Sequence, residues 1–75
     1  MKTFHVMIPT VQDAKEFVNS VSKAIGFVDV GHNSYCVDGK SILGVLSLDL
    51  SKELDVQCFE DEAEHVHELI SKWEV

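Results

Sequence analysis

The sequence contains little positive charge, and this shortage narrows the classes of partner that it can bind. Only six lysine and arginine residues face thirteen acidic residues, so the formal net charge is −7. Nucleic acids and anionic membranes are held through lysine and arginine side chains that neutralise phosphate groups. The composition therefore argues against nucleic acid and membrane as direct partners, and it is compatible with a basic protein partner.

Long apolar runs and cysteine are scarce as well. No run approaches the roughly 18 residues of a membrane-spanning helix, and the first residues do not form the apolar core of a signal peptide. We therefore expect a soluble, cytoplasmic protein. Cys36 and Cys58 have no CxxC spacing and lie in strand-like patterns, so we interpret both as buried, reduced thiols that act as small hydrophobic residues.

What remains is the composition of one small globular domain spanning residues 1–75. The chain has 75 residues, near the lower size limit for a self-sufficient core. Its apolar fraction of 45% is ordinary for folded proteins, which argues against disorder. We find no internal repeat, linker or low-complexity segment.

The first quarter of the chain predicts a strand followed by an amphipathic helix. Residues 2–8 alternate between apolar and polar side chains, which is typical of a strand with one buried face. Thr10 to Asp13 then fits the pattern of a capping box at a helix start. The apolar stripe behind it has helical spacing and comprises Val11, Ala14, Phe17, Val18, Val21 and Ile25. Gly26 is the expected C-terminal cap.

The rest of the chain continues this alternation of strands and helices. Residues 27–31 and 34–38 predict a hairpin with its turn at His32-Asn33, and residues 54–58 predict a fourth strand. The last helix has a predicted buried stripe of Ala63, Val66, Leu69, Ile70 and Trp73. With a short helix after the hairpin, the order is β-α-β-β-α-β-α. This order favours an α+β fold with all helices on one face of the sheet, and a ferredoxin-like βαββαβ arrangement is the generic alternative.

The short helix is the most distinctive stretch, and it reads Lys40-Ser41-Ile42-Leu43-Gly44-Val45-Leu46-Ser47-Leu48. Ser41 is placed to accept a hydrogen bond from a backbone amide in the first turn, as an N-cap does. The apolar residues at helical spacing that can face a core are Ile42, Val45 and Leu46. Leu43 and Leu48 are then expected to point elsewhere, for example into solvent.

This stretch resembles the helix and regulatory serine of HPr, the phosphocarrier of the bacterial sugar phosphotransferase system. The resemblance implies an HPr-like open-faced β-sandwich, in which an antiparallel four-stranded sheet of order 1-4-2-3 is covered by three helices. It also implies Ser41 as a regulatory phosphorylation site. The residues that it implies for partner binding are Lys40, Leu43, Gly44 and Leu46.

The phosphocarrier chemistry of HPr is not retained at the matching positions. HPr carries its phosphate on a histidine before the first helix, in a pattern G-[ILV]-H-x-R-P-A. Counting back from Ser41 without gaps, Thr10 falls at the histidine, Gln12 at the arginine and Asp13 at the proline. The nucleophile and its cationic partner are thus absent, and Asp13 would repel an incoming phosphoryl group. The resemblance therefore implies a degenerate phosphocarrier site.

The histidines of the chain do not replace the missing one. His5 lies too early, within the first strand, and His32 lies at the hairpin turn. His65 and His67 are two residues apart on a helix, about 200° around its axis, so they cannot chelate one metal ion together. We predict no metal site, no cofactor and no catalytic group, and hence no enzyme.

Two classes of function follow from these observations. In the first, the protein is a regulatory, non-carrier relative of HPr that HPr kinase/phosphorylase phosphorylates on Ser41 and that serves a LacI-type transcription regulator. In the second, it is an interaction or dimerisation module that needs no phosphate, and Ser41 is only an N-cap. An active histidine phosphocarrier is the third and least favoured alternative.

Overall fold

The computed structural model describes all residues from 1 to 75. Its strands are β1 (Lys2–Val6), β2 (Asp29–His32), β3 (Tyr35–Asp38) and β4 (Leu54–Cys58). Its helices are α1 (Val11–Val21), α2 (Ile42–Leu46) and α3 (Ala63–Ile70). Short 3-10 turns, Glu60–Glu62 and Ser71–Trp73, flank α3. None of these helices combines the length and the hydrophobicity that a membrane-spanning segment requires.

The four strands form one antiparallel sheet in the order β1-β4-β2-β3, as the resemblance to HPr implied. Val56 of β4 lies between Phe4 of β1 and Val30 of β2, and Val30 in turn pairs with Val37 of β3. Along β4 every second residue is buried, so one face of the sheet packs against the helices and the other stays open.

The core lies between the sheet and the helices. Phe17 of α1 is fully buried, and the Trp73 ring meets it edge-on with 5.5 Å between the ring centroids. The other fully buried large apolar side chains come from the sheet, the loops and all three helices: Val6, Ile8, Val21, Val28, Val30, Val45, Leu54, Val56, Val66 and Ile70. The predicted apolar stripes of α1 and α3 supply most of the helical part of this core.

Helix α1 ends earlier than its apolar periodicity predicts. It stops at Val21 with Ser22 as its C-cap, so the prediction of Gly26 as the cap is wrong. Ile25 is 92% exposed instead of buried. The Glu62 carboxylate accepts hydrogen bonds from the backbone amides of Ile25 and Gly26, and these tertiary bonds hold the segment out of the helix. Val11, predicted to be buried, is half exposed in the first turn.

Further predictions need correction. The hairpin turn predicted at His32-Asn33 lies at Asn33-Ser34, since His32 is the last residue of β2 and pairs with Tyr35. The strand predicted for residues 2–8 ends at Val6, since Met7 donates its backbone amide to the carbonyl of Trp73 instead of to a strand. Cys36 is exposed. It lies on the edge strand β3, and its side chain alternates with that of Val37, which is half-buried on the other face. Cys58 is buried, as predicted, and its burial raises the pKa of the thiol. Leu48 is buried rather than outward.

Candidate functional site

Ser41 caps α2 as the sequence predicts. Its backbone is extended, with φ −110° and ψ 116°, and its Oγ accepts a hydrogen bond from the amide of Gly44 at 3.2 Å. A serine cap of this kind stabilises a helix by about 1 kcal/mol. Ser41 is half-buried, and the Cβ that Gly44 lacks would lie 3.2 Å from Cβ of Val37, so α2 sits close to β3.

Beyond this cap, α2 exposes leucine side chains. Leu43 is 80% exposed and Leu46 is 37% exposed, whereas Val45 on the opposite side is fully buried. We use the name α2 surface for Ser41, Leu43 and Leu46. A hydroxyl and two apolar side chains on one short helix form a surface that a partner protein can contact and that a phosphate can alter.

The side chain of Lys40, the residue before the N-cap Ser41, makes a hydrogen bond within the protein. Its Nζ donates a hydrogen bond to the carbonyl of Ala24 at 2.8 Å, and its backbone amide donates to Asp38 Oδ1 at 2.9 Å. Lys40 therefore ties the start of α2 to the loop that follows α1. This link sets the position of Ser41 relative to α1.

A shallow groove separates α1 from α2. It has a volume of about 360 Å³ and is lined by Lys15, Val18, Asn19 and Ile42. The groove is mainly apolar and contains one cation, so its chemistry suits part of a protein surface better than a multiply charged small molecule. It lies next to the α2 surface and extends the area that a docked partner would cover.

The resemblance to HPr places the matching phosphocarrier position at the N-terminus of α1. Here Thr10 caps the helix, and its Oγ1 accepts a hydrogen bond from the amide of Asp13 at 3.0 Å. The same hydroxyl donates to Asp13 Oδ2 at 2.8 Å, and the Trp73 indole donates to Asp13 Oδ1 at 3.1 Å. Both oxygens of the Asp13 carboxylate therefore have a partner within the protein.

Neighbouring groups near the N-terminus of α1 favour the ionised forms of the Asp13 and Glu16 carboxyl groups. The Thr10 hydroxyl, then the Trp73 indole and the charge of Lys72, lower the pKa of Asp13. Lys72 lies 2.6 Å from Glu16 and is the main cause of the lowered pKa of that carboxyl. The ionised Asp13 carboxylate therefore lies in the first turn of α1, where the helix dipole favours negative charge. Gln12 donates to Glu16 at 3.3 Å and supplies no positive charge.

These lowered pKa values predict a loss of stability in acid. An Asp13 carboxyl whose pKa is lower in the folded state stabilises the fold fully above its ordinary value near 3.8. The contribution disappears as the pH falls through the still lower folded pKa. We expect Asp13→Asn to weaken the dependence of the urea midpoint on pH below about pH 4, with Asp61→Asn as the control. Parallel midpoint curves for wild type and Asp13→Asn would contradict this account.

Three of the four histidines lie beside acidic side chains. His5 Nδ1 is 2.8 Å from Asp55 Oδ1 on the open face of the sheet, and His67 Nδ1 is 2.8 Å from Glu74 Oε1. His65 lies 3.8 Å from Glu62. No group of three or more histidine, cysteine, aspartate or glutamate side chains is arranged to hold a metal ion.

Sequence reasoning missed the role of the C-terminal residues in building this site. Trp73 was predicted only as a buried apolar residue, yet its indole nitrogen holds Asp13 across 60 positions of the sequence. The following Val75 donates its amide to the carbonyl of His5, which fastens the tail to β1. The one available signal was that a buried tryptophan usually finds a hydrogen-bond acceptor for its N–H.

Comparison with known proteins supports an HPr-like fold. No family model and no curated protein sequence matches the chain. Among solved structures, it is similar to the crystal structure of HPr-C-His from Thermoanaerobacter tengcongensis, with a TM-score of 0.80 and 24% sequence identity. The similarity covers 96% of this chain and 89% of that one. With four antiparallel strands in the order 1-4-2-3 and three helices, the chain has the HPr-like fold, an open α+β sandwich.

Proposed function

We propose that the protein is a non-carrier, HPr-like regulator that docks a protein partner through the α2 surface and is switched by phosphorylation of Ser41. The observation that carries this proposal is the exposure of Leu43 and Leu46 on the helix that Ser41 caps. Exposed apolar side chains grouped on one element favour a protein contact. The cytoplasm is the compartment in which such a regulator would meet its kinase.

Phosphorylation of Ser41 would change this surface directly. A phosphate adds roughly −1.5 to −2 charge and three acceptor oxygens at neutral pH. At Ser41 it would lie beside the first amides of α2, including that of Gly44, which the hydroxyl already contacts. The modification would thus leave α2 in place while adding charge next to Leu43. Candidate partners are HPr kinase/phosphorylase and a transcription regulator.

The arrangement at α1 supports a regulator more than a phosphocarrier. Thr10 is no nucleophile for phosphohistidine chemistry, and the Asp13 carboxylate occupies the end of the helix. The chain also contains no arginine that could assist a phosphoryl group. We therefore propose that the Thr10, Gln12 and Asp13 region is a degenerate phosphocarrier site.

The decisive experiment is a pair of labelling reactions read by mass spectrometry. One uses ATP with an HPr kinase/phosphorylase, and the other uses phosphoenolpyruvate with enzyme I. We expect one stable phosphate on Ser41 from ATP and none from phosphoenolpyruvate. Ser41→Ala should lose the label but stay folded, because a lost N-cap costs about 1 kcal/mol. Label elsewhere, or on the Ser41→Ala variant, would rule the switch out.

The docking part of the proposal has its own test with the same kinase. Leu43→Asp is expected to lower kcat/KM for Ser41 phosphorylation by about tenfold or more, as the loss of a central apolar contact does. Val75→Asp is the matched control, since Val75 is also an exposed apolar residue and lies at the end of the chain. Equal losses in both variants would mean that the leucine has no special role.

The second candidate, a module that needs no phosphate, rests on the same exposed leucines. Under that alternative, neither labelling reaction modifies the protein, and Ser41 acts only as the cap of α2. A partner that binds wild type and Ser41→Ala equally well, but not Leu43→Asp, would establish it.

A further inference from the structure

A second exposed apolar group lies outside the α2 surface. Ile25 is 92% exposed and Phe59 is 52% exposed, and Phe27 is half-buried beside Phe59. The two aromatic rings meet edge-on, with 4.5 Å between their centroids and 85° between their planes. We call Ile25, Phe27 and Phe59 the Ile25 patch. The residues come from the loop after α1 and from the residue that follows β4.

The loop that carries Ile25 is fixed by side chains from two other parts of the chain. The Glu62 carboxylate accepts hydrogen bonds from the amides of Ile25, at 2.9 Å, and Gly26. Lys40 Nζ donates to the carbonyl of Ala24 at 2.8 Å. The two amides also hold the pKa of Glu62 below its usual range, so the clamp stays ionised at neutral pH. Ile25 is thus presented outward from an ordered loop.

Gly26 shows that the patch is closely packed beneath its exposed surface. A Cβ at Gly26 would lie 2.6 Å from Glu62 Oε1 and 3.0 Å from the Phe59 ring. The absence of a side chain there lets Phe59 approach the loop backbone. An apolar surface that is already ordered loses little conformational entropy when a partner covers it.

The charges around the patch indicate what kind of partner would cover it. Glu60, Asp61 and Glu62 follow Phe59 directly. Asp61 is exposed, and the Glu60 side chain is 76% exposed with its carboxylate 3.3 Å from the amino terminus of Met1, whereas Glu62 is engaged by the loop amides. The net charge of the chain is −7, so two copies would repel each other across this acidic border. A basic surface with apolar side chains would instead gain both contacts.

We propose that the Ile25 patch is a docking surface for a basic protein segment with apolar side chains, separate from the α2 surface. Apolar side chains of the partner would cover Ile25 and Phe59, and its lysine or arginine side chains would face the exposed carboxylates of Glu60 and Asp61. Neither the apolar contact nor the charged contact depends on phosphorylation of Ser41.

The test uses a synthetic amphipathic helix, with lysines on one face and leucines on the other, titrated into ¹⁵N-labelled protein. We expect backbone amide shift changes to concentrate on residues 24–28 and 59–62. Two matched peptides separate the contributions: one replaces the lysines by glutamates, and the other replaces the leucines by serines. Both should bind at least about tenfold more weakly, because each lacks one of the two contacts.

Variants then assign the binding to the patch. Ile25→Ser should weaken binding of the lysine–leucine peptide by about tenfold, while Val75→Ser should leave it unchanged. Because Ile25 is almost fully exposed, its replacement is not expected to unfold the protein. Shift changes centred on Leu43 and Leu46, or equal binding by wild type and Ile25→Ser, would overturn the proposal. So would sedimentation of the free protein as a dimer that Ile25→Ser dissociates.

Discussion

Replacing Phe17 by alanine is expected to lower the free energy of unfolding by about 3–5 kcal/mol, the cost of truncating a buried aromatic residue. Phe17 is fully buried at the centre of α1, and its ring supports the edge of Trp73. A small domain has a stability of about 5–15 kcal/mol, so this loss is a large fraction of the total. Urea unfolding followed by the fluorescence of Trp73, the single tryptophan, measures the change directly.

The matched control for Phe17→Ala is Lys15→Ala on the exposed side of the same helix, which we expect to change stability by less than about 0.5 kcal/mol. Both variants replace a residue of α1 by alanine, so their difference isolates packing from helix propensity. A loss below about 1 kcal/mol for Phe17→Ala would show that the site collapses around the cavity and that this ring is not central to the core.

The period of the hydrophobic pattern was enough to predict the number and order of strands and helices. Alternation predicted β4, and the stripe from Ala14 to Val21 predicted α1, because each element buries one face of a regular backbone. The strand order came from the resemblance to HPr at Lys40 to Leu48. Periodicity alone left a ferredoxin-like arrangement open, since it contains no information on which strands are neighbours.

The predictions that failed lie where tertiary contacts decide the local structure. Ile25 continues the stripe of α1 in sequence, but the Glu62 carboxylate captures its amide from 37 positions away. Cys36 was predicted to be buried from its local strand pattern alone, which does not record that β3 is an edge strand of the sheet. In each case the deciding partner is distant in the chain, and a local pattern carries no record of it.

The candidate site likewise has features that the sequence predicts and features that depend on distant contacts. The cap at Ser41 and the exposure of Leu43 follow from a helix of a few residues, so the sequence predicts them. The arrangement around Asp13 does not follow, because it depends on Trp73 folding back over α1. From the sequence alone, Asp13 is only the residue that stands at the position of the proline in the HPr pattern. With the Trp73 contact, Asp13 is a carboxylate held in place at the N-terminus of α1.

This arrangement predicts that a histidine alone will not create a phosphocarrier. Thr10→His is expected to remain almost unlabelled by phosphoenolpyruvate and enzyme I, because the Asp13 carboxylate faces the incoming phosphoryl group. Thr10→His combined with Asp13→Asn keeps the shape of the side chain and an oxygen for the Trp73 indole but removes the charge. Two like charges a few ångströms apart at a protein surface repel enough to change a rate by about tenfold or more, so the double variant should gain acid-labile label at least that much faster.

Three comparisons make this result interpretable. Asp13→Asn alone has no histidine at position 10 and should stay unlabelled, which excludes transfer to His5, His32, His65 or His67. Adding Gln12→Arg to the double variant should raise the rate further, since a guanidinium beside the histidine pairs with the phosphoryl oxygens. Equal rates for Thr10→His and Thr10→His with Asp13→Asn would show that charge is not the barrier. The obstacle would then lie in recognition by enzyme I, and the α2 surface, not the end of α1, would be the place to look for it.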